Sequence, residues 1–199
     1  MRKKIFQWLG REFVELSTEG KGGLSPRAEA TEIFSRRTLG SEERVKILSG
    51  KARSVSSSYV APVHFDSDAR VAVDLLAMRP SGPGFEKTLK EYDPPIVPLR
   101  YLVYDGVVFL SGVTSTLPTL PDQVTEILTR ISGSLTDAGS SWEKAGKVSF
   151  FLHRSQKVET LKAAFQKAVG ASIPQTEYGF VDGYSAAGKL IEIEITALK

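Results

Sequence analysis

The chain of 199 residues has no cysteine, two histidines and two methionines. Without cysteine there can be no disulfide, no thiolate metal site and no cysteine nucleophile, which fits a reducing compartment. His64 and His153 stand in separate halves with no carboxylate or thiol at ligand spacing, so no metal site is expected. No nucleophile-elbow pattern supports a serine triad. The glycines of "GKGGLSP" (20–26) lack the lysine placement of a phosphate loop. No apolar run approaches the roughly 18–20 residues needed to cross a bilayer. The basic start "MRKKIFQWLGREF" lacks the continuous apolar core of a signal peptide. These absences predict a cytoplasmic protein with no membrane partner.

A strong charge excess is also missing. The sequence pI is about 9.0, but the net charge is only +3. Sixteen basic and thirteen acidic residues occupy the first 97 positions, and ten of each the remainder. The cations are scattered among acids, as in "SEERVKILSGK", and form no stripe, which argues against nucleic acid as a partner.

What is present is clearest in the second half. "PLRYLVYDGVVFLSGVTS" holds two apolar runs around Asp105-Gly106, a hairpin signal. "DQVTEILTRISGSLTDAG" is apolar at Val124, Ile127, Leu128, Ile131 and Leu135, predicting an amphipathic helix that ends near Gly139. "KVSFFLHR" is a short apolar strand. "SQKVETLKAAFQKAVG" predicts a second helix with Ser155 as N-cap and Gly170 at its end. "TEYGFVDGY" and "KLIEIEITALK" close the chain as strands, giving the order β-β-α-β-α-β-β.

The first half echoes this order. "TEIFSR" (Thr31–Arg36) matches "TEILTR" (Thr125–Arg130), 94 positions on, and the same offset lays "FVELS" (13–17) on "VVFLS" (107–111). Further along the offset becomes 120: Gly50 on Gly170, Asp74 on Glu194, Ala77 on Ala197. The 26 residues of difference hold the middle strand, so the first half reads as the same unit with that strand excised. Its helices would be fused over about Pro26–Leu48. The Pro- and Gly-rich "RPSGPGFEKTLKEYDPPIVP" predicts a linker, with a shortened domain at 1–80, the linker at 81–97 and a complete domain at 98–199.

With "DGVVFLSGVTS", the string from "QVTEILTR" to "KVSFFLHR" and the final "IEIEITAL" in view, the second half resembles the Rid/YjgF family of reactive-intermediate deaminases. The resemblance covers roughly residues 98–199. It implies an α/β (α+β) fold of two tandem Rid/YjgF-like, chorismate mutase-like units, the first lacking its middle strand. It also implies a homo-oligomer, a trimer by family precedent, with ligand clefts between subunits. The activity implied is cofactor-free hydrolysis of imines or enamines. There an arginine in a "P-A-R-S/T" motif clamps the substrate carboxylate, and the first glutamate of "E-I-E" orients the attacking water.

Glu192 matches that glutamate. Where the arginine belongs, "SIPQTEYGF" offers only Ile173, Thr176 or Glu177, whereas "KARS" (51–54) in the first half matches the motif through Arg53. Each half thus retains one member of the pair. Arg53 reads either as an anion clamp or as a cation satisfying a helix C-terminus. Glu192 reads as a base or as a solvated glutamate alternating with Ile191 and Ile193. By family position Ser111 and Gly112 would present hydroxyl or NH groups to a ligand, or simply turn a strand end. "SSSY" (56–59), with Tyr59, would line the same cleft or form a polar edge. Asp66 and Asp68 read as turn formers, and Arg70 only superficially imitates the arginine motif. Two readings remain open: a hydrolase acting on a carboxylate-bearing small molecule at a composite cleft of Arg53 and Glu192, and a non-catalytic small-molecule-binding homologue. A ribonuclease or translation-related activity, also attributed to the family, has only the mild basicity in its favour.

Overall fold

The structure, a computed structural model, describes residues 2–20, 60–63, 68–69, 71–79, 81–94, 99–184 and 186–199. The strands are β1 (Arg2–Trp8), β2 (Arg11–Gly20), β3 (Val60–Pro62), β4 (Val71–Met78), β5 (Lys87–Lys90), β6 (Tyr101–Tyr104), β7 (Val107–Thr114), β8 (Ala145–His153), β9 (Gln175–Tyr184) and β10 (Ile191–Leu198). Helix α1 (Leu120–Asp137) lies between β7 and β8, and α2 (Val158–Val169) between β8 and β9. The chain divides into two compact units, the first carrying β1, β2 and β4, the second the remaining elements. The helix expected over Pro26–Leu48 lies outside the described residues.

The first unit's strands form an antiparallel sheet in the order β1-β2-β4. Its hairpin turns at Leu9-Gly10, both with positive φ (50° and 68°), a backbone that matches the right-handed twist of paired strands. Phe13 is fully buried, with Phe6 stacked at 5.9 Å and Trp8 tilted at 5.0 Å. Aromatic contact thus contributes to the anchoring of this sheet.

The second unit is a seven-stranded sheet in the order β3-β9-β8-β10-β7-β6-β5, antiparallel throughout except for β8 and β9. The parallel pair is joined through α2, as a crossover requires. The apolar stripe of α1 (Val124, Ile127, Leu128, Ile131, Leu135), with Leu161 and Phe165 of α2, packs on Val148, Phe150 and Leu152 of β8 and Ile191, Ile193 and Ile195 of β10. Each fully buried aliphatic side chain there contributes about 2 kcal/mol. Period 3.6 on the helices and period 2 on the strands thus meet on one face of the sheet.

Local signals set the boundaries. Thr119 caps α1, its hydroxyl accepting from the Asp122 N–H at 3.3 Å. Gly170 closes α2 in the left-handed conformation, φ 67°. Ser155, expected to cap α2, does not: the helix starts from Lys157, and the Ser155 hydroxyl lies 2.7 Å from His153 Nδ1 instead. Within the Pro- and Gly-rich stretch, Lys87–Lys90 pairs with β6. β3 pairs with β9, Val60 facing Tyr184. The hairpin turns at Leu9-Gly10 and Asp105-Gly106 stand 96 positions apart, whereas Phe13 lies opposite Met78 as Val107 lies opposite Leu198, at offsets of 94 and 120. β4 and β10 are separated by 120 at both ends (71 to 191, 78 to 198).

Candidate functional site

β10 lies between β7 and β8. Its alternation sends Ile191, Ile193 and Ile195 to the helices, and Glu192, Glu194 and Thr196 to the opposite face. Alternation alone predicts a solvated Glu192, and here the structure corrects it: Glu192 is only 5% exposed. Its neighbouring strand carries a defect at this level. β7 and β10 run in register through Ile193 opposite Val113 and resume at Ile195 opposite Leu110. Ser111 and Gly112 therefore share the place opposite the single residue Glu194. This is a β-bulge on β7, the kind of irregularity that re-aims side chains beside functional sites.

Gly112 then has a steric role. A Cβ built on it would stand 1.7 Å from Glu192 Oε1 and 2.2 Å from the carboxyl carbon. The carboxylate fills the space that any side chain at 112 would need. Glycine is required by close approach, not by its φ. Of the residues singled out in the sequence, the structure brings Gly112 and Glu192 together and sets Ser111 in the same bulge. Arg53 and Tyr59, like His64, Asp66 and Arg70, lie outside the described residues.

Two further groups frame the carboxylate. Phe151 of β8 is the cross-strand partner of Glu192. Tyr184, at the end of β9, donates its hydroxyl to the Phe151 carbonyl at 2.8 Å. Burial, and then the charge of Glu192, push the Tyr184 phenol well above its ordinary range. It is protonated throughout the neutral range.

On the same face Glu177 of β9 meets Lys147 of β8 at 2.6 Å and accepts from Gln175 at 2.9 Å. One of the alignments that would supply an arginine thus holds a carboxylate already engaged with a lysine.

Gln123 was not distinguished in the sequence, although it interrupts the apolar stripe of α1. It is fully buried. Its amide donates to the carbonyls of Leu117 and Gly188, each at 2.7 Å, and accepts the Leu190 N–H at 2.8 Å. One side chain therefore ties the approach to α1 to the turn that delivers Glu192. Arg130 adds a bond to the Thr114 carbonyl at 2.7 Å, and Ser115 donates to Glu126. Tyr184 was equally silent in the sequence, because nothing local in "VDGYSAAG" distinguishes it from an edge tyrosine. His153, close to Ser155, is not joined by ligand-type neighbours, and among the described residues no cluster of His, Asp and Glu could hold a metal ion. Among them, too, no helix is long and apolar enough to cross a membrane.

No protein-family model matches the chain, and a search of curated proteins finds no match. Solved structures do. Rv2704 of Mycobacterium tuberculosis, a member of the YjgF/YER057c/UK114 family, aligns with a TM-score of 0.52 and 20% identity over 57% of this chain and 100% of its own. YyfA of Yersinia pestis, a Rid family protein, aligns at 0.52 with 19% identity, again over 57% and 100%. NMB1025 of Neisseria meningitidis, a YjgF family member, aligns at 0.50 and 20% over 57% and 95%. The aligned share of this chain is close in size to the second unit, in which β6-β7-α1-β8-α2-β9-β10 follow the β-β-α-β-α-β-β order that the sequence motifs implied, with β3 and β5 added to the sheet. Over that share the chain therefore carries the fold of these Rid/YjgF structures.

Proposed function

We propose that the chain is a Rid/YjgF-family hydrolase that adds water to a carboxylate-bearing imine or enamine, with Glu192 as the residue that orients and activates the water. The observation that carries this reading is the burial of Glu192 in the middle of the sheet, on the face away from the helices, in a gap kept open by Gly112 and the bulge. A buried carboxylate is costly, and perturbed or buried ionisable groups concentrate at functional sites.

In the proposed reaction the water oxygen adds to the imine carbon while one of its protons passes through Glu192 to the nitrogen. The resulting carbinolamine expels ammonia as its hydroxyl proton passes to the departing nitrogen, leaving the carbonyl product. An enamine first takes a proton at carbon and releases one from nitrogen to become the imine. Arg53 is the proposed carboxylate clamp, Tyr59 a lining residue, and the NH groups of Ser111 and Gly112 the donors toward the ligand. No metal or organic cofactor enters this scheme. The active form is proposed to be a homo-oligomer, a trimer on family precedent, with residues 1–80 as the shortened unit.

A second reading is favoured by one observation. Glu177, at a position where an arginine would act, is held by Lys147 at 2.6 Å, which fits a binding protein that has given up hydrolysis. An assay separates the two. Imino acids generated in situ from alanine, leucine and phenylalanine by an amino-acid oxidase are followed with wild type, Arg53→Ala and Glu192→Gln. Accelerated decay in wild type, lost in both variants, is the expected result. Decay equal to buffer with every substrate rejects hydrolysis of simple imino acids in favour of binding.

A further inference from the structure

Tyr184 spends its only proton on the Phe151 carbonyl. Phe151 is the residue directly across from Glu192. A tyrosine hydroxyl has one hydrogen to give and lone pairs to receive with. With the hydrogen committed at 2.8 Å, the oxygen can only accept; the His153 N–H faces it from the backbone, and its second lone pair is left for whatever enters beside it. The carbonyl that holds the phenol belongs to the residue across from Glu192, and the charge of Glu192 helps to raise the phenol's pKa. Two acceptors, a carboxylate and a phenol oxygen, thus adjoin one residue of β8.

An occupant of that place must bring hydrogens. Water brings two. If it gives one to Glu192 and the other to Tyr184, both lone pairs of its oxygen are left for an electrophile. That is the orientation a nucleophilic water requires, and a carboxylate alone would leave the water free to rotate about its single bond.

We infer that Tyr184 is a positioning residue, which accepts the second hydrogen of the water that Glu192 activates and so fixes the direction of its attack. This rests on the hydrolytic reading of Glu192. Tyr184 forms no bond with substrate atoms in the reaction. Its donation to Phe151 holds the phenol oxygen in place. The raised phenol pKa keeps that donation intact in neutral solution.

The test combines kinetics with a spectroscopic signal that needs no activity. Tyr184→Phe keeps the ring and removes only the oxygen. In the imino-acid assay it should lower kcat about tenfold, the worth of one hydrogen bond, with KM within about twofold of wild type and an unchanged Tm. In protein labelled at the tyrosine ζ-carbon, the signal lost in Tyr184→Phe identifies Tyr184. At neutral pH that signal should move in Glu192→Gln and stay in place in Glu194→Gln. A normal kcat in Tyr184→Phe, with active wild type, overturns the positioning role alone. A ζ-carbon signal that ignores Glu192→Gln overturns it whatever the kinetics. Inactive wild type overturns the hydrolytic reading, and the positioning role with it.

Discussion

The sheet β1-β2-β4 and the strands β6-β7-β10 have the same order and the same antiparallel sense, yet their central pairings differ. β2 and β4 pair without a break from Phe13 opposite Met78 to Gly20 opposite Val71. β7 and β10 break once, where Ser111 and Gly112 crowd opposite Glu194. At the 120-residue offset Glu192 falls on Ala72, which is exposed, and Glu194 on Asp74, which is exposed and receives the Ser17 hydroxyl at 2.6 Å. An unbroken ladder carries small or solvated residues on that face, whereas the bulged ladder buries a carboxylate. The bulge and the missing side chain at 112 leave room for the carboxylate, and β10 lies in the middle of its sheet whereas β4 is last in the order of its own among the described strands. Two regions with one strand order thus differ both in the ladder and in what surrounds it.

The most damaging way to erase this difference is Gly112→Ala. The new Cβ would occupy the volume of the Glu192 carboxylate, so a loss of about 3 kcal/mol is expected by urea denaturation. The double variant Gly112→Ala/Glu192→Ala should recover part of it. A neutral Gly112→Ala would show that the carboxylate has room elsewhere.

Gln123→Leu comes next. It strands two carbonyls and one N–H around the turn before β10, at a cost of about 2 kcal/mol. Hydrogen exchange at Leu190 should accelerate beyond the change in global stability. Exchange that only follows global unfolding would mean that the turn is held by other contacts.

Lys147→Met probes the ion pair on the same face of the sheet as Glu192. Because the ion pair is partly exposed, a loss of about 0.5 kcal/mol is expected. A loss several times larger would give Glu177 a buried structural role.

Ala72→Glu is the smallest perturbation. It writes the glutamate into the unbroken ladder at an exposed place, so stability should stay within about 0.5 kcal/mol, and imino-acid decay should be unchanged. A gain of activity would mean that a carboxylate suffices without the bulge.

Much of the second unit was legible because its signals are local. Asp105-Gly106 dictates the hairpin, with φ 46° and 77° at the two turn residues. The apolar stripe of α1 and the left-handed Gly170 place the helices where the periodicity put them. The errors fall where a neighbour decides. Ser155 has the chemistry of a cap, but His153 lies closer to its hydroxyl than any helical N–H does. Alternation alone put Glu192 on a solvated face, whereas the assembled structure buries it.

The site divides in the same manner. Glu192 and Gly112 were both identifiable as residues, through motifs that lie 80 positions apart. Their contact was not, because a bulge is a property of two paired strands and leaves no mark on either one. Composition and periodicity determined by themselves that this chain lacks thiol chemistry, that its second half alternates strands and helices in the observed order, and that Glu192 points away from the helices. Only tertiary structure decided that this glutamate is buried, that Gly112 makes room for it, that Tyr184 bonds the carbonyl of the residue across from it, and that Gln123 holds the turn before it. The physical reason is range: dihedral preference and side-chain period act over a few residues, whereas burial, steric exclusion and electrostatic coupling depend on strands brought together from distant parts of the chain.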